Sequence, residues 1–381
     1  MDEFAAPLVP RPSTGAGDDE AALFDALRAR AGRLIRRAPE PGEAARWHPH
    51  VIGGRKLRLA LPITFTPYAS ARPCSARCGF CSENLRPLRT LVPAARLRPA
   101  ADYFEGLQRA LAALRGVPLS WSLSGLENTD DAAWLLRLLE VLQDAERAGI
   151  PVQERVLYSN GAGFAQARGD ELRGALQRFG LGWIELSRHH HAGEANQALM
   201  RFRPGLAIAD QPVFESVART LASCFPVRLI CLVQQGGIAC PDGVAAYLGW
   251  ARRCGAGTVI FREFSRLDGS YRDNATARHL AAARVPMAPL LRACLDDPRL
   301  GRGWELLSLT QGYYFRNLHV RTAEGMEVVF EWSDYAAMHR RHASGDVYKL
   351  VYFANGQLCA GWDPGQDVLL DTTRLPEPLH G

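Results

Sequence analysis

From about residue 57 onward the chain alternates short apolar runs with longer segments of helical period, and this alternation restricts the fold more than any other feature of its 381 residues. Runs at 57–66, 118–124, 152–159, 182–187, 227–233 and 258–264 read as strands. Amphipathic stretches at 101–115, 132–148, 169–179, 213–224 and 243–254 fall between them. Repeated β-α units of this kind build a mainly parallel sheet. Six of them predict an α/β fold with a partial (β/α)6 barrel of TIM type over 57–300.

The flanks read differently. Residues 1–20 carry Pro7, Pro10, Pro12, Gly15 and Gly17 without an apolar period and are expected to be a flexible tail. Residues 21–56 form a helical extension, its helix capped by Asp18-Asp19-Glu20, apolar at Leu23, Leu27 and Leu34, and ended near Pro39. Beyond residue 300 the pattern becomes antiparallel. Segments 313–321 and 326–332 flank a short turn, and 347–353 and 358–362 close through Asn355-Gly356. A small antiparallel β subdomain is therefore expected over 301–381. Its Trp332, Tyr348 and Trp362 read as cross-strand packing, or as a lid on the barrel.

Composition narrows the function. With 47% hydrophobic and 22% charged residues the chain can bury a core. It has no uncharged apolar run of about 18 residues, and its acidic start, Met1-Asp2-Glu3, is unlike an export signal. The expectation is a cytoplasmic protein with no membrane partner. The net charge is +5, but the basic residues are almost all arginine, Lys56 and Lys349 being the only lysines. They are spread along helices rather than striped, which argues against nucleic acid as partner. Nine cysteines, an odd and unevenly placed set, indicate a reducing compartment. Cys224, Cys231, Cys240, Cys254, Cys294 and Cys359 lie far apart and read as small buried hydrophobes.

The other three are crowded into Cys74-Ser75-Ala76-Arg77-Cys78-Gly79-Phe80-Cys81, in the loop after the first expected strand. Structural zinc normally takes four protein ligands, and no second pair stands near this one. Three thiolates can hold three corners of a [4Fe–4S] cluster and leave one iron open for a ligand. One such cluster is expected, since the later cysteines form no closely spaced pair.

These residues resemble the radical S-adenosylmethionine (radical SAM) superfamily, whose hallmark is C-x3-C-x-aromatic-C after the first barrel strand, with Phe80 in the aromatic place. The resemblance covers residues 57–266. Ser124-Gly125-Leu126-Glu127 is similar to the family's Gly-Gly-Glu, with Leu126 departing from the second glycine. Asn160 and Gly161 stand where many relatives carry Thr-Asn-Gly, and Ser187 resembles a ribose-contacting residue. The resemblance implies SAM as cofactor, with Phe80, Ser124, Gly125, Glu127, Asn160, Ser187 and Arg188 around it and Cys74, Cys78 and Cys81 on the cluster. Glu127 would accept from the methionine amine, and Arg188 or Arg228 would meet its carboxylate. It further implies that one electron from the cluster breaks a carbon–sulfur bond and yields a 5′-deoxyadenosyl radical. A protein donor such as flavodoxin or ferredoxin would supply that electron.

His189 and His190, with Arg262 and Glu263, are candidate catalytic groups. Gln234 and Gln235 would also approach the mouth of a barrel. Three successive histidines, His189-His190-His191, point in different directions along extended chain and seldom share an ion. Gly161-Ala162-Gly163 begins like a dinucleotide fingerprint but lacks its third glycine. Arg188 and Arg262 indicate a small polar or anionic metabolite as substrate, modified by epimerisation, dehydration, decarboxylation, cyclisation or dehydrogenation. A peptide-modifying radical SAM enzyme and a zinc-bound structural or interaction protein are the alternatives.

Overall fold

The computed structural model describes residues 16–373 except Gly32 and Pro41. The expected tail thus lies outside the described residues up to position 15, while 16–20 belong to helix α1 (Ala16–Arg30). The helix expected to run to Leu34 stops at Arg30. Leu34–Arg36 is instead a short strand, β1. Strand β2 (Trp47–Ile52) pairs antiparallel with β3 (Arg55–Tyr68).

The six expected strands are all present. They are β3, β4 (Leu119–Leu123), β5 (Val152–Ser159), β6 (Trp183–Ser187), β7 (Val227–Val233) and β8 (Thr258–Glu263), paired parallel in that order. Helices α2 (Tyr103–Ala112), α3 (Ala132–Arg147), α4 (Gly169–Arg178), α6 (Gln211–Ala222) and α7 (Pro241–Arg253) occupy the expected amphipathic stretches. Each buries its apolar stripe, as Leu135, Leu138, Leu139 and Leu142 do in α3. Three further helices, α5 (Gly193–Met200), α8 (Ala275–Ala283) and α9 (Met287–Asp296), lie in stretches to which the sequence reading assigns no element. α5 and α8 are shorter than three turns, too short to show a clear period.

The C-terminal strands correct the sequence reading. The two hairpins exist, as β10 (Phe315–Arg321) with β11 (Glu327–Ser333) and β12 (Val347–Phe353) with β13 (Gln357–Cys359). They do not stand apart as an antiparallel layer. β11 lies parallel beside β8, with Val329 opposite Ile260, and β12 lies parallel beside β3, with Val351 opposite Thr66. The parallel array therefore has eight strands, in the order β12-β3-β4-β5-β6-β7-β8-β11, and α10 (Tyr335–His342) crosses from β11 to β12. β9 (Glu305–Gln311) and β1 extend one end of the sheet, and β14 (Val368–Asp371) the other. Hairpin signals report one edge of a strand only. The other edges of β11 and β12 needed partners, and the open edges of β8 and β3 supplied them.

Each end of the parallel array pairs outward, β11 with β10 and β12 with β13, and the turn between β9 and β10 meets β12 through side chains. Tyr313 stacks on Tyr348 with ring centroids 4.9 Å apart, and Trp47 meets Tyr348 edge-on at 5.7 Å. Trp47, Ala60 and Tyr348 form a small core of their own, with Tyr313 packed against it. Trp332 is not part of this group and packs on Phe24 of α1 instead. Truncating Tyr348 to alanine is expected to lower unfolding free energy by about 3–5 kcal/mol in urea titrations. Val51→Ala, at a 56% exposed position, should stay within about 0.5 kcal/mol of the parent.

Candidate functional site

Strand alternation sorts the candidate residues. Successive side chains of a strand point to opposite faces, so Trp183, Glu185 and Ser187 of β6 face the interior of the array, as do Glu154, Val156 and Tyr158 of β5. These residues line a cavity of about 600 Å³. An ordinary barrel of this type is filled by branched apolar side chains; here hydroxyls and charges line much of the space.

Arg188, one step beyond Ser187, leaves on the outer face. It is fully buried against α6, donating to Gln211 Oε1 at 2.6 Å and Ile208 O at 3.4 Å, with its guanidinium 4.4 Å from the Phe214 ring centroid. Burial pushes it down to about 10. The same alternation splits Arg262 from Glu263. Arg262 lines the cavity, held by Glu331 and 3.8 Å from Glu185. Glu263 is buried in the outer layer, bound by Arg284 and by the Met287 amide at 2.6 Å. Gln234 and Gln235 do not line the cavity either; Gln234 is fully buried.

The thiol loop sits above β3 and is tied down by a buried polar network. The Asn160 amide nitrogen Nδ2 donates to Ser75 Oγ at 2.8 Å and lies 3.9 Å from Cys74 Sγ. The Ser75 backbone N–H donates to Asp130 Oδ2 at 2.6 Å. Glu127, only 2% exposed, accepts from Thr129 N–H (3.1 Å), Thr129 Oγ1 (2.6 Å), Ser159 Oγ (2.8 Å) and the Asn160 backbone N–H (2.5 Å). Its carboxyl is thus engaged by the chain's own donors. Burial first, and then the neighbouring Asp130, push it up to about 7. From the other side Arg203 donates to the carbonyls of Pro73 and Cys74, at 2.9 and 2.7 Å. The Arg77 N–H reaches Met200 O at 3.0 Å, at the end of α5.

Phe80 clasps the loop from above. Its ring meets His189 edge-on at 4.9 Å and packs against Phe264 at 5.7 Å. His189 is buried, and its Nδ1 accepts the Leu232 N–H at 3.1 Å. Burial holds its imidazole down at about 3, a neutral side chain fixing the top of β7. His190 and His191 stack on each other at 4.4 Å, partly exposed.

Gly125 has φ +124°, and a β-carbon there would stand 2.6 Å from the Tyr68 ring. That ring carries a buried hydroxyl beside the Glu83 carboxyl group. Burial first, then the Glu83 carboxylate and the Cys81 and Cys74 thiols, raise it above its usual range. Gly163 has a different cause from nucleotide binding: a β-carbon there would overlap the Thr129 carbonyl.

Burial pushes the thiols up, to about 12 for Cys78 and Cys81, with the neighbouring Cys81 thiol adding to the effect on Cys78. Among the described residues no three His, Cys, Asp or Glu side chains converge closely enough to share one metal ion. Thiols on separate corners of a cluster do not share an ion, whereas the ligands of a zinc do. The donor set, three thiols on one loop, fits an iron–sulfur group better than a single cation.

The sequence reading missed Tyr68, Ser75, Asp130, Ser159, Glu83 and Lys349. Glu83, two residues after Cys81, lines the cavity and is pushed up to about 7 by burial. Lys349 of β12 also lines it, donates to Thr64 Oγ1 at 3.2 Å and lies 3.9 Å from the Trp362 ring centroid. Burial pushes its ammonium down to about 7, against the pull of Glu83. One of only two lysines placed inside an apolar strand was a signal available in the sequence.

No family model matches the chain, and no curated protein matches it. Among solved structures it is similar to SuiB of Streptococcus suis bound to S-adenosylmethionine, at 15% identity over 84% of this chain and 65% of that one, TM-score 0.46. It is similar to HydG from Carboxydothermus hydrogenoformans, an FeFe-hydrogenase maturase, at 14% identity over 72% and 56%, TM-score 0.38. It is also similar to methylornithine synthase, at 13% identity over 61% and 62%, TM-score 0.35. The chain spans 43% and 65% of the length of two SuiB structures it matches. At these scores the functional reading rests on the residues themselves.

Two outcomes follow from the geometry. Gly125→Ala is expected to displace Tyr68 and cost most of the iron retained after anaerobic reconstitution, read by iron and sulfide analysis. Lys349 binds fewer protons folded than unfolded between about 7 and its ordinary 10.5, so the parent gains stability as pH rises through that window. Lys349→Met lacks the gain. Its stability relative to the parent should therefore increase as pH falls from about 10 to 7 and level off below, as measured by denaturant midpoints.

Proposed function

We propose that the chain is a radical SAM enzyme that holds one [4Fe–4S] cluster on Cys74, Cys78 and Cys81 and modifies a small polar or anionic metabolite in the cavity of the parallel array. The observation that carries this reading is the thiol loop at the top of β3, anchored through Ser75 by Asn160 and Asp130, with its next two residues, Ser82 and Glu83, on the cavity wall. Bound there, the cluster and SAM would supply a one-electron cleavage of the sulfonium and a carbon radical able to take hydrogen from substrate.

The chain's own residues supply position and exclusion. Ser124, Gly125 and Ser187 line the cavity at the upper ends of β4 and β6, within reach of a nucleoside-sized ligand. Glu127 and Asn160 act in this reading as supports of the thiol loop, since their polar atoms are already engaged. Arg262 is balanced by Glu331 and Glu185 and is a fixed part of the wall. Lys349 and Arg228 are cavity cations with no carboxylate within 4 Å among the described residues. Arg228 rests over the Trp183 ring at 4.1 Å. They favour an anionic group on the substrate. The Tyr313–Tyr348 stack closes the side of the cavity against water.

Anaerobic reconstitution with iron and sulfide, dithionite reduction, and EPR with and without SAM test the reading directly, with 5′-deoxyadenosine assayed in the same tube. A cluster signal altered by SAM, with SAM-dependent cleavage, is expected. Cys74→Ala, Cys78→Ala and Cys81→Ala should each reduce cleavage to background. Zinc in place of iron, or a cluster indifferent to SAM, would overturn it. Once a substrate is in hand, Lys349→Met should raise its KM about tenfold or more, the loss of a charge-assisted hydrogen bond of about 1.5–3 kcal/mol. Substrate-independent cleavage of SAM should be unchanged.

A further inference from the structure

The loop that leaves Cys81 carries a surface unlike the rest of the molecule. Arg86, Arg89, Arg96 and Arg98 are all exposed, and none has a carboxylate partner among the described residues. No Asp or Glu occurs between Asn84 and Ala101. Elsewhere exposed arginines either meet an acid, as Arg168 meets Glu171 and Arg299 meets Asp297, or stand singly away from exposed large apolar side chains, as Arg115 and Arg302 do. Leu88 (45% exposed), Leu91 (87%) and Val92 (43%) are three of the four large hydrophobic side chains exposed on the described residues. Apolar and basic side chains thus share one short stretch.

The stretch is held firmly at its base. The Leu88 N–H donates to Ser270 O at 2.7 Å, and Arg272 reaches back to the carbonyls of Arg86 and Leu88, at 2.8 Å through its backbone N–H and 3.0 Å through its guanidinium. Gln366 donates to Arg89 O at 2.9 Å. Ala94 and Leu97 are packed with Tyr68, the residue beneath the thiol loop. Backbone so tied, with side chains so exposed, is a presented surface rather than a frayed one.

The chemistry selects the occupant. Unpaired arginines around aliphatic side chains complement an acidic protein face with an apolar centre, since charge sets encounter and register while buried apolar contacts hold the complex. Nucleic acid would be better served by aromatic stacking platforms, and the stretch from Arg86 to Arg98 has none. Resting on the functional reading above, we propose that the 86–98 loop is the docking surface for an acidic protein reductant that serves the cluster. In each encounter the low-potential one-electron donor is oxidised by one electron and the thiol-bound iron–sulfur group is reduced by one. No atom is transferred and no bond is made.

The test compares reductants on the reconstituted holoenzyme. SAM cleavage is driven either by dithionite, which needs no docking, or by reduced flavodoxin or ferredoxin, both acidic proteins. Arg86→Glu/Arg89→Glu and, separately, Leu91→Ser should slow protein-driven cleavage about tenfold and leave dithionite-driven cleavage within about twofold of the parent. Protein-driven cleavage by the parent should also fall as salt rises. Unchanged protein-driven rates in both variants would overturn the proposal. So would a parent that dithionite drives and neither protein does. Equal loss with dithionite would show that the loop only supports the site. A parent dimer that Leu91→Ser converts to monomer, with unchanged protein-driven rates, would assign the surface to a second copy of the chain. A parent that dithionite cannot drive would sink the radical reading, and this inference with it.

Discussion

The placement of the thiol loop depends on two carboxyl groups taken out of water and satisfied from within. Glu127 accepts from Thr129, Ser159 and Asn160, and Asp130 accepts from Ser75. Burying a carboxyl is costly unless donors meet it; here the donors come from the ends of β4 and β5 and from the loop itself. The network makes the loop's position a property of the parallel sheet. Remove the register of β4 with β5, in which Leu123 stands opposite Leu157, and the donors no longer meet their acceptors. Phe80 completes the arrangement by packing on His189 at the top of the neighbouring wall.

Much of this was legible in the sequence for a simple reason. The six strands and five of the helices carry their own period, and a cysteine cluster needs no tertiary knowledge to be noticed. Within the site the sequence reading grouped neighbouring strand residues without regard to alternation. Ser187 and Arg188 cannot both face the cavity, nor can Arg262 and Glu263. Counting outward from Tyr158 and Glu185 would have separated them. The hydrogen bonds of Glu127 and Asn160 to their neighbours were less accessible, because a polar residue at a strand end looks the same in sequence whatever it meets.

The rest was hidden by distance along the chain. β11 and β12 announce their hairpin partners through turns a few residues long. Their parallel partners lie far beyond a turn's reach, Ile260 of β8 opposite Val329 and Thr66 of β3 opposite Val351, and leave no local mark. Lys349 illustrates the point. Its place in an apolar hairpin strand marks it as unusual but names no partner, and only the pairing of β12 with β3 turns it toward Thr64 and the cavity.

That same pairing has a consequence for how the protein is made. Lys349 and Thr64 are 285 residues apart, and contacts of such separation form late because the closure of a long loop must come first. On a ribosome the thiol loop is synthesised long before β12, the strand that completes its side of the cavity. Cys74, Cys78 and Cys81 are therefore open to solvent and oxidants until β12 has followed, and the thiol chemistry of the folded loop depends on keeping them reduced in that interval.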